Sequence, residues 1–307
     1  MRPLRAMMVS NRGSVLALLA WQWRAVTAFV AAGVAVLIVH RWVWPGAKIP
    51  SLPLGIVGGA LGIFVSFRTN SAYARWWEGR QLWGRLVNAS RTLCSQALAY
   101  LPAEGEGRAL AATVVRRHIA YVHALRAVLR TQDLMADPDV RPFLAPAEYA
   151  RLATESNANH ALVHENYAAL ALAARKGWVD GHQLRAFDET LRTILDVQGG
   201  CERIKKTPMP RGYAFIAERL ILAFSMLLPL ATVEDLGAWV VPVNVLVCLA
   251  FSLISEAGRV LEDPFTLFWN GLPLTALSRT IEVNLRQRLG ETDLPPIPGP
   301  NEKGVLM

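Results

Sequence analysis

The chain has few side chains that carry chemistry. Three cysteines, Cys94, Cys201 and Cys248, are scattered through 307 residues, odd in number and without C-x-x-C spacing, so neither a disulfide framework nor a thiolate zinc site is indicated. The six histidines include one helically spaced pair, His160 and His164, beside Glu165. That pair lacks the H-E-x-x-H order and spacing marks no third ligand, so a solvated helix face is the expectation. No G-x-x-x-x-G-K-[ST] loop is present to cradle a phosphate. Gly199-Gly200-Cys201-Glu202 could suggest a reactive thiol, but no histidine adjoins it, and it reads as a backbone turn between helices. Strand-type alternation of useful length is missing throughout. Together these absences leave an enzyme with little to use, and no cofactor or resident metal is expected.

Charge is also scarce, at 18% of residues against 53% hydrophobic, with a mean hydropathy of +0.27. That is too apolar for an ordinary soluble chain and too polar for one lying wholly in a bilayer, so a membrane portion and a sizeable aqueous portion are both implied. The formal charge of +8 would raise nucleic-acid binding in a soluble protein. Here the basic residues flank apolar spans, and membrane orientation accounts for them more simply, so no nucleic-acid partner is expected.

In chain order, residues 1–24 combine Arg2, Arg5, Arg12 and Arg24 with a short apolar patch and read as a retained interfacial helix. Residues 25–67 hold two spans, Ala25 to about Val39 and the run from Leu54, separated by a turn at Pro45-Gly46. Residues 68–213 read as a cytosolic helical portion: Arg75 to about Leu101 continuing the second span, then Arg108 to about Leu134 with Arg116, Arg117, Arg126 and Arg130 on its polar side. Further helices are expected at about Ala158 to Ala174 and Leu184 to Val197. Residues 214–258 carry spans three, Leu220 to Val233, and four, Leu236 to Ser255, joined by a turn at Glu234 and Asp235. Residues 259–307 end in a helix near Leu277 to Leu289 and a proline-rich tail. Arg68, Arg75, Arg80 and Arg85 follow span two, and Arg203, Lys205, Lys206 and Arg211 precede span three. The positive-inside rule then puts both termini and the middle portion in the cytoplasm, with Arg41 and Lys48 as minor exceptions.

The stretch Leu54 to Trp77 organises the rest. It has no ionisable residue between Ile49 and Phe67, enough to cross a hydrocarbon layer of roughly 30 Å at about 1.5 Å per helical residue. Gly55 with Gly59, and Gly58 with Gly62, sit four apart and suit close helix packing. Gly59, Ile63 and Phe67 also fall at i, i+4, i+8 and share one stripe. Copies of this helix around an axis would make an uncharged constriction able to gate by dewetting. No internal repeat or midplane charge suggests a transporter, and one four-helix subunit offers no aqueous path, so permeation would need a homo-oligomer.

Four blocks carry a family resemblance: Arg12-Gly13-Ser14-Val15, GIFVSFRTNSAYARWWEGRQLWG from Gly62 to Gly84, GGCERIKKTPMPRGY from Gly199 to Tyr213, and EDPF from Glu262 to Phe265. In this order and at these separations the chain resembles a bacterial member of the bestrophin family of ion channels. The resemblance implies an all-helical membrane protein with four transmembrane helices and a large cytosolic helical portion, assembled as a barrel-like homopentamer in the bacterial inner membrane. Its partners would be the lipid bilayer, its own copies and permeant monovalent ions, whether chloride or sodium. The match puts the pore neck on Gly59, Ile63 and Phe67. Gly59 departs from the larger apolar residue usual in relatives, which argues against a tight upper neck. Counting back from GGCER puts the cytosolic aperture at His182, where a histidine ring could make conductance pH-dependent between about pH 5 and 8. The acidic run of the animal calcium site is replaced by Thr266, Leu267, Phe268, Trp269 and Asn270. A non-conducting membrane-tethered signalling or scaffold protein, motivated by the large Arg68 to Tyr213 portion, is the alternative, and a secondary transporter the third reading.

Overall fold

The computed structural model describes residues 20–268, 270–300 and 306. Most of the expected N-terminal helix over 1–24, including the Arg12 block, lies outside them. The described residues form helices and no strand: α1 (Trp23–Ile38), α2 (Ser51–Tyr100), α3 (Gly105–Leu129), α4 (Pro146–Leu152), α5 (Ala158–Arg175), α6 (Gly181–Lys206), α7 (Arg211–Leu236), α8 (Val240–Leu261) and α9 (Leu274–Leu289). They divide into two units. One holds the described residues of Asn11–Trp76 with Pro208–Glu262; the other holds those of Trp77–Thr207 and Asp263–Met307.

Among the described residues, Trp23–Val43, Ser51–Tyr100 and Phe215–Leu261 are the stretches long and apolar enough to cross a membrane. The last comprises α7 and α8, joined by a 3-10 turn at Gly237–Trp239. Glu234 and Asp235, expected as the turn, close the last turn of α7 instead. The chain reverses at Gly237, which adopts φ +53°, a left-handed conformation that costs glycine little. Lys48, a charge on the unexpected side, pairs with Glu234 at 2.9 Å.

The core of the first unit gathers Phe29, Leu54, Leu61, Val65, Ile221 and Phe224. With lipid outside, burial of apolar surface does little to hold these helices together, and close packing and interhelical hydrogen bonds must do it. Both are present. A Cβ on Gly33 would lie 3.2 Å from the Val241 Cα, and one on Gly258 would lie 3.2 Å from the Thr69 Cα. The buried Asn244 Nδ2 donates to the Phe29 carbonyl at 2.9 Å, tying α8 to α1.

The second unit is built around α3, whose residues from Arg117 to Ala127 are all buried. The supposed polar side of this helix is therefore mostly interior: Arg116 stays half exposed, but Arg117 and Arg126 do not. Arg117 is tied to Glu148 and donates to Asn166 Oδ1 at 2.9 Å. Arg126 pairs with Asp137 at 2.5 Å and Asp139 at 3.1 Å. A buried charge is tolerated when it is paired and hydrogen-bonded, and helical period alone cannot tell such a face from a wet one.

Two further groups continue this network. Glu282 of α9 faces His123 Nε2 at 2.9 Å and pairs with Arg279 at 2.5 Å and Arg286 at 3.0 Å. Burial opposes its charge, but the hydrogen bonds from His123 and Arg286 and the charge of Arg279 outweigh it and hold the carboxyl below the usual 4.5. Among the described residues His118 has no charged partner. Its Nε2 lies 2.8 Å from Ser90 Oγ, and because that hydroxyl gives its own proton to the Leu86 carbonyl at 2.6 Å, the imidazole is the donor and stays neutral. Complete burial pushes its pKa down to about 3.

The block Gly199-Gly200-Cys201-Glu202 is not a turn. It lies inside α6, which runs unbroken to Lys206. Gly200 is there because Leu82 of α2 occupies the space: a Cβ would stand 2.9 Å from both Leu82 methyls. Cys201 is fully buried, and burial raises its thiol to about 12, so it packs and does not react.

Acid should destabilise this unit in two stages. His118 takes up a proton in the unfolded chain below about pH 6.5 but in the folded chain only near 3, so its contribution is full above that window and falls as pH drops through it. Glu282 adds a second loss below pH 4.5, where the unfolded chain is protonated and the folded carboxylate is not. Melting midpoints in detergent should fall between about pH 6.5 and 4.5, and His118→Gln, which keeps a donor toward Ser90 but cannot titrate, should flatten that first limb.

Candidate functional site

α2 turns one face inward and one outward. Leu54, Leu61, Val65, Arg68 and Ala72 are buried, recurring at helical spacing. Gly58 and Gly62 border that face: a Cβ on Gly58 would meet the Phe224 ring at 3.0 Å, and one on Gly62 would meet Phe251 at 3.5 Å. These two rings are themselves in edge contact, with centroids 5.8 Å apart. The two glycine pairs thus separate. Gly58 and Gly62 let aromatic rings approach the helix, whereas a Cβ on Gly55 or Gly59 would meet nothing within 4 Å.

The outward face carries the expected stripe. Gly59 is exposed, as are Ile63 at 61% and Phe67 at 69%. Large apolar side chains this open need another surface or lipid against them. The stripe is also free of charge, and the next residue explains how. Arg68 is only 3% exposed because its guanidinium turns back into the unit. Nη1 donates to Ser255 Oγ at 2.8 Å and to the Ser255 carbonyl at 3.3 Å, while Nη2 pairs with Glu262 at 2.7 Å. Arg75, two turns on, donates from Nε to the Glu262 carbonyl at 2.7 Å. Thr69 adds a hydroxyl bond to the Ile254 carbonyl at 3.0 Å. The bond to Ile254 brings α8 against α2 where Gly258 has no side chain to obstruct it.

Parts of three motif blocks meet within the second unit. Lys205 of the GGCERIKK segment pairs with Asp263 at 2.7 Å, and Arg203 pairs with Glu78. Asp263 Oδ1 also accepts from the Phe265 backbone N–H at 3.1 Å. Gly79 faces Pro264 and Phe265, which a Cβ would approach to 3.1 and 3.3 Å. Ser255 and Glu262, the partners of Arg68, could not be assigned that role from spacing. The available signal was the EDPF block just beyond the fourth apolar run.

His182 belongs to the second unit, exposed in the first turn of α6 and not in a loop. The turn is fixed by Asp180, whose side chain accepts from the Gln183 N–H at 2.8 Å, half of a capping box. His160 and His164 lie with ring centroids 6.4 Å apart, and among the described residues no cluster of three or more His, Cys, Asp or Glu could hold a metal ion.

These features define an all-helical membrane protein with a long helix that presents an uncharged apolar stripe and buries the charge that follows it. A family model described as Bacterial/Fungal Bestrophin protein matches residues 2–287. A voltage-dependent anion channel-forming protein of Mesorhizobium japonicum is 34% identical over 277 residues, covering 90% of this chain and 86% of that protein. The protein of the same description from Escherichia coli O157:H7, YneE, is 35% identical over 267 residues, covering 85% and 84%. The crystal structure of a bacterial bestrophin homologue from Klebsiella pneumoniae is similar with a TM-score of 0.82 and 30% identity, over 88% of this chain and 99% of that one. The chain belongs to the bacterial and fungal bestrophin family.

Replacing Arg68 by Gln should leave Glu262 without its charge partner and cost roughly 3 kcal/mol. Gly258→Val should force α8 off Thr69 and cost about 1–3 kcal/mol. Both should lower the temperature at which the detergent-solubilised protein loses its size-exclusion peak. Gly59→Leu, which meets open space, should not lower it.

Proposed function

We propose that the chain forms a homopentameric, passive, anion-permeable channel whose neck is lined by Gly59, Ile63 and Phe67. The observation that carries this reading is the exposed apolar stripe of α2 with Arg68 withdrawn from it. In a lone membrane helix an arginine at that level would reach for the interface; here it is held inside, so the stripe forms a wall without fixed charge. Such a wall seals by dewetting and imposes no sign on the ion.

In this reading the sign comes from a group elsewhere on the same helix. Arg85 falls about five helical turns beyond Phe67 and so repeats the register of the stripe. It is exposed and has no ion-pair partner among the described residues. A ring of such guanidinium groups would concentrate anions in the aqueous part of the path. The names of the relatives, which are voltage-dependent anion channel-forming proteins, support the same sign. In this reading the Phe215–Leu261 stretch supplies two spans, giving four in all. Both termini face the cytoplasm, the membrane is the bacterial inner membrane, and His182 forms the cytosolic aperture.

Reversal potentials in asymmetric NaCl across a planar bilayer test the proposal. The wild type should give the sign of chloride permeation, and Arg85→Gln should move the value toward zero. Ile63→Ala with Phe67→Ala should raise flux from liposomes severalfold, Gly59→Leu should reduce it by narrowing the upper neck, and His182→Ala should raise it if the aperture limits current. Liposomes that pass neither ion, made from protein that stays monomeric in detergent, would sink the channel reading.

A further inference from the structure

A second feature of the membrane unit has no part in the proposed pore. Between α1, α7 and α8 lies a cavity of about 580 Å³, within the roughly 300–1,000 Å³ usual for small-molecule sites. Its lining is divided. Ala25, Ala28, Phe29, Ile221 and Leu222 make an apolar part. Arg24, Arg219, Glu218, Arg259 and Glu256 make a charged part, with Ser252 and Ser255 between.

The charges do not all cancel. Arg259 and Glu256 form a two-point ion pair, with Nε 2.7 Å from Oε2. Arg24 and Arg219 have no carboxylate partner among the described residues. Each instead lies over an aromatic face, Arg24 over Trp23 at 5.4 Å and Arg219 over Phe215 at 5.0 Å. Glu218 likewise forms no ion pair among the described residues, although it lies near enough to Arg259 to act on it electrostatically. The cavity therefore offers two cationic groups and one anionic group beside an apolar wall.

Its level in the unit says what can fill it. Arg24 stands at the start of α1, Glu218 and Arg219 in the early turns of α7, and Arg259 in the last turn of α8. All three charged sets mark the same end of three packed apolar helices. That end is where hydrocarbon gives way to headgroups. The half-exposed Trp23 and Phe215 fit the aromatic belt found at this depth.

We propose that this cavity binds the headgroup of a phosphatidylethanolamine-type lipid from the adjoining leaflet. The phosphate diester would sit between Arg24 and Arg219, in the charge-assisted geometry that guanidinium favours. The primary ammonium would donate to Glu218. The glycerol and first methylenes would lie on Phe29, Ile221 and Leu222, and the acyl chains would pass into the bilayer, since the cavity is too small to hold them. An anionic lipid such as phosphatidylglycerol would satisfy the arginines but leave Glu218 without its cation, which sets the preference.

The test uses the full chain, purified in detergent, stripped of lipid and titrated with defined lipids, with bound lipid counted by native mass spectrometry. The wild type should retain phosphatidylethanolamine over phosphatidylglycerol by roughly tenfold. Glu218→Gln should abolish that preference while keeping both lipids. Arg24→Gln with Arg219→Gln should lose both, and Arg24→Lys with Arg219→Lys should keep them if the folded protein and its charge are intact. Equal retention of the two lipids by the wild type, or an unchanged preference in Glu218→Gln, would overturn the proposal. Displacement of the lipid by soluble glycerophosphoethanolamine at equal concentration would assign the same chemistry to a water-soluble ligand and would overturn the lipid assignment. None of these readouts depends on ion flux, so they stand apart from the test of the channel.

Discussion

The membrane unit depends on where one guanidinium goes. Arg68 follows Phe67 directly, and an arginine at the end of an apolar run would ordinarily reach outward to water or phosphate. Ser255 and Glu262 draw it inward. Two results follow from this one preference. The outward face of α2 keeps an unbroken apolar surface from Gly59 to Phe67, and the end of α8 is fixed against α2 by hydrogen bonds that would be expensive to leave unmade in a medium without water. Gly258 completes the arrangement by having nothing to obstruct Thr69. Charge placement and helix packing are here one constraint.

The second unit solves the opposite problem. Its central helix carries arginines and histidines that water no longer reaches, and it pairs Arg117, Arg126 and His123 from three directions: Glu148 of α4, Asp137 and Asp139 of the loop after α3, and Glu282 of α9. A network of this kind contributes less net stability than apolar packing would, but it penalises any register in which a partner is missing. It therefore specifies how the helices meet. The interior His118 shows the same logic without charge, because its proton position is set by Ser90 and Leu86.

Much of this was legible in the sequence, and the misses have physical causes. The helices could be read from period and breakers, and α2 was expected to run on from the membrane because nothing between Phe67 and Tyr100 stops it. The stripe was legible because i, i+4 spacing fixes a face whatever surrounds it. The division of labour among the four glycines was not, since it depends on where Phe224 and Phe251 point. Gly199-Gly200 looked like a turn by propensity, but Leu82 fills the space a side chain would need, and packing overrides a propensity of about 1 kcal/mol per glycine. Arg117 and Arg126 looked solvated because their acids lie in other elements, and pairing across a fold leaves no local trace.

The bond between Arg68 and Glu262 spans 194 positions of the chain. At roughly 5–20 residues per second of synthesis, the arginine emerges some 10 to 40 s before its partner exists. For that interval the second membrane helix must be held with its charge unneutralised, while the Trp77–Thr207 part of the other unit is being made. The protein thus has a built-in waiting period during its manufacture, and the last membrane helix to be synthesised is the one that ends it.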